Sequence, residues 1–297
     1  MITDDELQAL NHAIRLRYGI DFTNYEPNSF KRRVVRVLQK YGFESSLALW
    51  QAMLKDNQFI FKMIDEITVG LTEMFRNPLL WQTIRDNVLT QLQNQSQIKL
   101  WHIGCSTGEE VYTLRIVLQQ KNLLAKTLTT ATDLNSQAIR TAIEGIYPLE
   151  TLELYEKNFQ LYQQNPERHL HNFYRKIDSQ RGQMHEYLRN NILFKVANLT
   201  KPEDYETEKY DLVFCRNVMI YFDEILKERV IRQIYDALNP NGFFVLGYYD
   251  ALSTQQQQLF EVYDASCKIY RKKTNVLHLA NQLNTTSNIP KEIFDKV

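Results

Sequence analysis

Cysteine is scarce in this chain, with three residues among 297, at positions 105, 215 and 267. They are too few and too scattered for a disulfide framework or a zinc knuckle. Net charge is also missing. Thirty-five Lys and Arg balance 35 Asp and Glu, which argues against a globally basic nucleic-acid binder and leaves only local patches to consider. No apolar run approaches the ~20 residues that cross a bilayer, and mean hydropathy is −0.42. The opening Met-Ile-Thr-Asp-Asp-Glu is acidic and lacks the basic-then-apolar pattern of a secretion signal. There is no internal repeat. These absences lead us to expect a cytoplasmic, metal-free globular protein without nucleic-acid partners or membrane insertion. Hydrophobic residues make up 44% of the chain, enough to fill the core of one large domain or two ordinary ones.

Up to about residue 89 the pattern is helical. Asp4-Asp5-Glu6 suits the positive end of a helix dipole, and Leu7, Leu10 and Ile14 follow at helical spacing until Gly19 breaks the run. A second helix is predicted from Asn28 to Tyr41, ending at Gly42. It carries Lys31, Arg32, Arg33, Arg36 and Lys40 with no acidic residue among them. Residues 1–90 hold 11 basic and 11 acidic side chains, so positive charge is concentrated on this one helix. Two further apolar-periodic stretches are Leu47–Leu54 and Phe59–Ile67.

From Ile98 onward strands alternate with helices. Strands are predicted at 98–103, 128–132, 192–196, 210–215 and 243–246. Helices are predicted at 109–119, 136–144 and 224–238, with Asn239-Pro240-Asn241-Gly242 as a turn. That alternation means an α/β fold with a doubly wound, mostly parallel sheet, whose ligands bind at the carboxyl ends of the strands. Residues 148–191 interrupt it and point to a small insert with a hairpin near Arg181-Gly182. Residues 273–297 read as a polar tail.

The chemistry-bearing motifs fall at those strand ends. Gly104-Cys105-Ser106-Thr107-Gly108-Glu109-Glu110 joins a strand to a helix through small residues that let backbone approach a ligand. It is not Gly-x-Gly-x-x-Gly, and it lacks the Lys of a phosphate loop. Its two carboxylates repel a pyrophosphate but suit cationic groups such as the ammonium and sulfonium of S-adenosylmethionine; they equally suit an ordinary first helical turn. Asp133 ends the second strand, where a carboxylate accepts ribose hydroxyls or caps the next helix. Phe214-Cys215-Arg216-Asn217 ends a buried strand and leads to Tyr221. Cys215 reads as a buried structural thiol. Gly70-Leu71-Thr72-Glu73-Met74-Phe75-Arg76 lies between the helical part and the sheet, and alone reads as a linker. The basic helix reads as a solvated face or as a dock for an acidic partner.

Together, in this order and across roughly residues 10 to 272, these segments resemble the CheR family of chemoreceptor methyltransferases. The match runs through Leu71-Thr72 with Phe75-Arg76, Gly104 to Glu110, Ala131-Thr132-Asp133, Gly145-Ile146-Tyr147, Asn198-Leu199, Phe214 to Phe222 and Leu246-Gly247. The resemblance implies a class I S-adenosylmethionine-dependent methyltransferase fold, Rossmann-like, with a small all-helical N-terminal domain (1–80) and a methyltransferase domain (81–272). It also implies an inserted β-subdomain at about 160–191 and the tail from 273. The implied activity is methylation of glutamate side chains on the cytoplasmic helices of chemoreceptors, with S-adenosylmethionine as methyl donor and the protein a monomer. Glu110 or its neighbour Glu109 would hold the methionine part, Asp133 the ribose, Asn198 and Leu199 the adenine side. Gly104, Arg216 and Asn217 would line the pocket, and Gly70, Thr72 and Arg76 would reach in from the linker. Arg76 and Tyr221 would sit beside the transferred methyl. Arg32, Arg33 and Arg36 would dock the acidic receptor helix.

The chain departs from the family pattern in three places. Gly70 stands where Asn is usual, Met74 where Phe is usual, and the stretch after Leu246-Gly247 reads Tyr248-Tyr249-Asp250-Ala251-Leu252 in place of His-Ser-Glu-Ser-Leu. Two other readings stay open: a methyltransferase of the same fold acting on a different acceptor, and a signalling scaffold that has lost catalysis.

Overall fold

The computed structural model describes residues 2–68, 72–199 and 208–274. Four helices come first: α1 (Asp4–Tyr18), α2 (Pro27–Tyr41), α3 (Ser46–Lys55) and α4 (Phe59–Thr68). Local chemistry sets their ends. Thr3 and Glu6 form a reciprocal capping box on α1, and Gly19 closes it in the left-handed conformation at φ 65. On α2 the Glu26 carboxylate accepts from Asn28 N and Ser29 N, Pro27 takes the first turn and Gly42 the C-terminal cap. Phe30, Val34, Val37 and Leu38 are buried, so the basic residues lie on the outer side.

The helical run then continues through α5 (Pro78–Thr83), a π-turn (Ile84–Val88) and α6 (Leu89–Leu92). The α/β part is β1 (Ile98–Ile103), α7 (Glu109–Gln120), β2 (Thr127–Asp133) and α8 (Ser136–Glu144), then β3 (Ile146–Pro148), α9 (Leu149–Gln163), β4 (Tyr174–Lys176) and β5 (Arg181–Met184). It ends with α10 (Glu186–Arg189), β6 (Ile192–Val196), β7 (Tyr210–Cys215), α11 (Glu224–Ala237), β8 (Leu238–Leu246), β9 (Phe260–Asp264) and β10 (Ile269–Lys272).

Seven strands form one sheet in the order β6-β2-β1-β7-β8-β10-β9. The first five run parallel, and β10 is antiparallel to both its neighbours. The chain winds outward from β1 to β2 and β6, then returns to β7 on the other side of β1. The crevice at the carboxyl ends of β1 and β7 is therefore the topological switch point. Successive residues of the central strands feed opposite cores. Trp101, Val213 and Phe244 join the buried side chains of α1–α4 and α11. Leu100, Leu212 and Phe243 join those of α5–α7 and α9. Burial on both faces is why these strands read as unbroken apolar runs. The helical region is thus packed directly on the sheet, and an antiparallel bridge between Tyr25 and Phe222 ties it to the loop after β7.

Three expectations change. The turn expected at Asn239–Gly242 is part of β8, where pairing with β7 shifts between Tyr210 and Leu212 and Asn241 takes a φ of 62. Pro240, without an N–H, and the left-handed Asn241 produce an irregular strand rather than a chain reversal. The insert begins earlier than expected, at Ile146. Its sheet has the order β3-β5-β4, and β3 is only three residues long, too short to show alternation. Finally, β9 and β10 add an antiparallel edge that the sequence does not announce, because in each only the first residue is fully buried. The 275–297 part of the expected tail lies outside the described residues.

The basic residues of α2 do have counter-charges, supplied by other helices. Lys31 Nζ pairs with Asp4 at 2.6 Å, Arg36 with Glu66 at 3.6 Å, and Lys40 also pairs with Glu66. Arg32 is exposed and Arg33 half-buried.

Candidate active site

A cleft lies at the switch point, enclosing about 1140 Å³ including its open mouth. Four strand ends and the linker contribute its walls. From β1 come Ile103, Gly104, Cys105 and Ser106; from β2, Thr132, Asp133 and Leu134; after β6, Asn198 and Leu199; after β7, Arg216, Asn217 and Val218. Thr72, Glu73 and Arg76 close one side, and Tyr25 and Asp65 enter from the helical region.

The turn after β1 is held by backbone chemistry. The N–H groups of Gly104 and Cys105 both donate to the Thr132 carbonyl, at 2.8 and 3.0 Å. Gly104 sits at φ 69, and a Cβ there would lie 2.3 Å from Val218 Cγ2, so only glycine fits. Ser106, also left-handed at φ 49, donates its N–H to Asp133 Oδ2 at 2.8 Å. The other Asp133 oxygen accepts Asn135 N at 2.8 Å. Burial raises the Asp133 carboxyl above its ordinary range, against these hydrogen bonds. Asn135 in turn caps α8 through its Oδ1 and reaches Asp65 of α4 with its amide.

The two consecutive glutamates part company. Glu109 is buried, accepts from the Thr107 hydroxyl at 2.7 and 2.9 Å, and does not line the cleft. Burial pushes its carboxyl up to about 7. Of the two expected to hold the cofactor, Glu109 therefore stands behind the cleft wall rather than in it. Neighbouring side chains on a helix point ~100° apart, and this turn aims only Glu110 into the cleft. Glu110 Oε1 is 2.9 Å from His102 Nδ1, and Oε2 is 2.9 Å from Arg216 Nη1. Burial opposes ionisation of Glu110, but the His102 hydrogen bond and the Arg216 charge outweigh it and hold the carboxyl below its usual range.

Arg216 is buried, with its guanidinium 5.8 Å from the Trp81 ring centroid. The Trp81 indole N–H donates to the Arg76 carbonyl at 3.0 Å. The linker itself is locked. Phe75 takes a φ of 55, unusual for a bulky residue, and its N–H donates to Thr113 Oγ1 at 3.0 Å. Its ring stacks on Tyr162 at 4.7 Å, and Tyr155 donates to the Thr72 carbonyl at 3.2 Å. Asn217 is left-handed at φ 61. Asn198 is buried, and its amide lies 3.4 Å from the Gly19 carbonyl. Cys215 is fully buried, which pushes its thiol well up.

The structure thus brings together Thr72, Arg76, Gly104, Glu110, Asp133, Asn198, Leu199, Arg216 and Asn217 in one cleft. Gly70 and the side chain of Tyr221 lie outside the described residues. Arg32, Arg33 and Arg36 lie apart from the cleft on α2. Tyr248 and Tyr249 are exposed and do not line it. Sequence reasoning missed Tyr25 and Asp65, which carry no local signal. It also missed His102, whose one available signal is a polar residue inside an otherwise apolar strand.

A cleft lined by the carboxyl groups of Glu110 and Asp133 fits S-adenosylmethionine, which is cationic at its amino-acid end and carries a diol. Comparison with known proteins agrees. Residues 70–269 match the family model for the CheR methyltransferase, SAM binding domain, and residues 5–68 match that for the CheR methyltransferase, all-alpha domain. Cher3 of Pseudomonas putida, named as a methyltransferase, is 33% identical over 271 residues, covering 91% of this chain and 97% of that protein. The chemotaxis protein methyltransferase of Borreliella burgdorferi is 27% identical, covering 84% of this chain and 89% of that one. Its Salmonella typhimurium counterpart is 26% identical, covering 85% of each chain. Among the described residues no helix is long and apolar enough to cross a membrane. The chain belongs to the CheR family of S-adenosylmethionine-dependent methyltransferases.

Proposed function

We propose that this protein is a protein-glutamate O-methyltransferase acting on the cytoplasmic helices of chemoreceptors. The observation that carries the proposal is a cation, Arg76, lining the same cleft as Glu110 and Asp133. Two relatives named as chemotaxis protein methyltransferases support the substrate class.

The bound donor supplies an electrophilic methyl on a sulfonium. Everything else falls to the chain. Asp133, fixed by two backbone N–H groups, is the acceptor for ribose hydroxyls. Glu110 receives the ammonium, Asn198 and Leu199 frame the adenine, and Gly104, Thr72 and Asn217 complete the wall. Arg216 acts on the ligand chiefly through Glu110, to which it is bound. A glutamate acceptor with a pKa near ~4.3 is ionised at neutral pH, so no general base is required. Its oxygen forms the new C–O bond as the C–S bond breaks, and carboxylate and sulfonium charges cancel into a neutral ester and a thioether. The protein's task is alignment and exclusion of water. Arg76 orients the acceptor carboxylate with its forked donors. The face at Arg32, Arg33 and Arg36 meets the acidic receptor helix.

The test incubates the protein with purified receptor cytoplasmic fragments and methyl-labelled S-adenosylmethionine. Base-labile label released as methanol and mapped to glutamates is the expected result. Donor binding without ester formation on any receptor fragment would point to another acceptor, and no donor binding to a scaffold.

A further inference from the structure

Both oxygens of Glu110 are held by buried side chains, and one of these partners has no role in the reaction above. His102 is fully buried at the middle of the sheet. Its Nδ1 lies 2.9 Å from Glu110 Oε1, and its ring lies flat on Phe214, with centroids 4.6 Å apart and planes 5° from parallel. Because an ionised carboxylate only accepts, Nδ1 carries the proton and donates. The Nε2 atom has no hydrogen-bond partner among the described residues. The ring is therefore oriented by stacking on one face and by a single polar bond, and that bond ends on a residue of the cofactor cleft.

Arg216 alone leaves Glu110 free to turn about its terminal bond. With Arg216 on Oε2 and His102 on Oε1, both oxygens are fixed and the plane of the carboxylate is set. We propose that His102 is a positioning residue for the donor: it orients Glu110 so that the remaining lone pairs of the carboxylate face the ammonium of the methionine moiety. The proposal rests on the assignment of Glu110 to that ammonium. It predicts that His102 governs affinity for ligands carrying an amino-acid tail and is indifferent to those without one.

The experiment compares S-adenosylhomocysteine with 5′-methylthioadenosine, which shares the adenosine and thioether but lacks the tail, by calorimetric titration. Two variants separate the hydrogen bond from packing. His102→Phe keeps a flat ring on Phe214 and removes the donor. His102→Asn places an amide N–H where Nδ1 stood and removes the ring. The expected result is that His102→Phe weakens S-adenosylhomocysteine about tenfold, a usual cost of losing a hydrogen bond to a charged group, and leaves methylthioadenosine unchanged. His102→Asn should retain affinity to within about threefold by keeping the donor. Equal loss of both ligands, wild-type affinity in His102→Phe, or a selective loss in His102→Asn as large as in His102→Phe would overturn the proposal. If His102→Phe does not fold, wild-type protein carrying ¹⁵N-histidine decides. A downfield imidazole N–H should move on adding S-adenosylhomocysteine and stay still with methylthioadenosine; identical responses to both would overturn it. Glu110→Gln, titrated alongside, tells the two failures apart. Undiminished binding of S-adenosylhomocysteine there would remove the Glu110 assignment itself, whereas a loss there with none in His102→Phe would remove His102 alone.

Discussion

The cleft and the outer side of α2 are both built from charged residues, yet they are held in different ways. In the cleft every carboxylate is fixed by a short, directed partner. Asp133 has two backbone N–H groups, and Glu110 has His102 and Arg216. On α2 the pairs join exposed cations to carboxylates of neighbouring helices, such as Arg36 with the mostly buried Glu66 at a looser 3.6 Å, and an exposed partner keeps the contribution of each near ~1 kcal/mol. The first arrangement suits a small ligand that must be aligned. The second suits a surface that needs a sign of charge more than a geometry. Substitutions can be graded by how hard they strike the cleft, and they should sort along this line.

The largest effect is expected from Gly104→Ala. The added methyl meets Val218 Cγ2 at 2.3 Å in a left-handed backbone. Strain and overpacking together should cost about 2–4 kcal/mol, seen as a lowered Tm with loss of S-adenosylhomocysteine binding. Pairing it with Val218→Ala should recover part of the Tm. A Gly104→Ala protein with wild-type Tm and binding would show that the turn is softer than its hydrogen bonds suggest.

Asp133→Ala comes next. It removes the ribose acceptor and frees the Ser106 and Asn135 N–H groups, and should weaken cofactor binding at least tenfold, about 1.4 kcal/mol. Unchanged affinity would remove the ribose assignment.

Glu109→Gln sharpens the contrast within the turn itself. The Glu109 carboxyl is pushed up to about 7 by burial, against an unfolded value near ~4.3. Between those values the folded state binds more protons than the unfolded one, so stability falls as pH rises. Glutamine cannot ionise. The variant should therefore match wild type near pH 4 and exceed it by roughly 1–3 kcal/mol at pH 8, read by denaturant unfolding at both values. S-adenosylhomocysteine affinity should not change, because Glu109 is outside the cleft. A tenfold loss would return Glu109 to the cofactor site.

What was legible in the sequence follows the same division. Contiguous features came through: β1, α8, β6 and β7 are as expected, since apolar strands and capped helices are local signals. The motif turns at Gly104–Glu110 and Arg216-Asn217 were legible because their residue types serve backbone needs. The choice between Glu109 and Glu110 was not, because it depends on how the left-handed Gly108, at φ 96, sets the start of α7. Tyr25 and Asp65 were invisible for another reason. They reach the cleft across a packed interface between helices and sheet, and nothing near them in sequence marks the contact. The counter-charges of α2 were hidden likewise, since Asp4 and Glu66 belong to α1 and α4.

That last point defines the variant with the smallest effect on the cleft. Reversing Arg32, Arg33 and Arg36 to Glu places like charge beside the mostly buried Glu66 and should lower stability by roughly 1–2 kcal/mol. Cofactor affinity should stay within error, because none of the three lines the cleft. Methylation of receptor fragments should nevertheless fall at least tenfold, mainly through KM, and the residual rate should depend less on salt than the wild-type rate, because screened attraction between exposed charges is what was removed. A control keeps the outcome interpretable: Lys31 and Lys40 are left in place so that their pairs with Asp4 and Glu66 still hold α2 to its neighbours. If cofactor affinity drops with methylation, the helical region shapes the cleft through α2 as it does through Tyr25 and Asp65, and the two regions are one site. If methylation survives with affinity intact, the receptor docks elsewhere and the positive charge on α2 is only solvated surface.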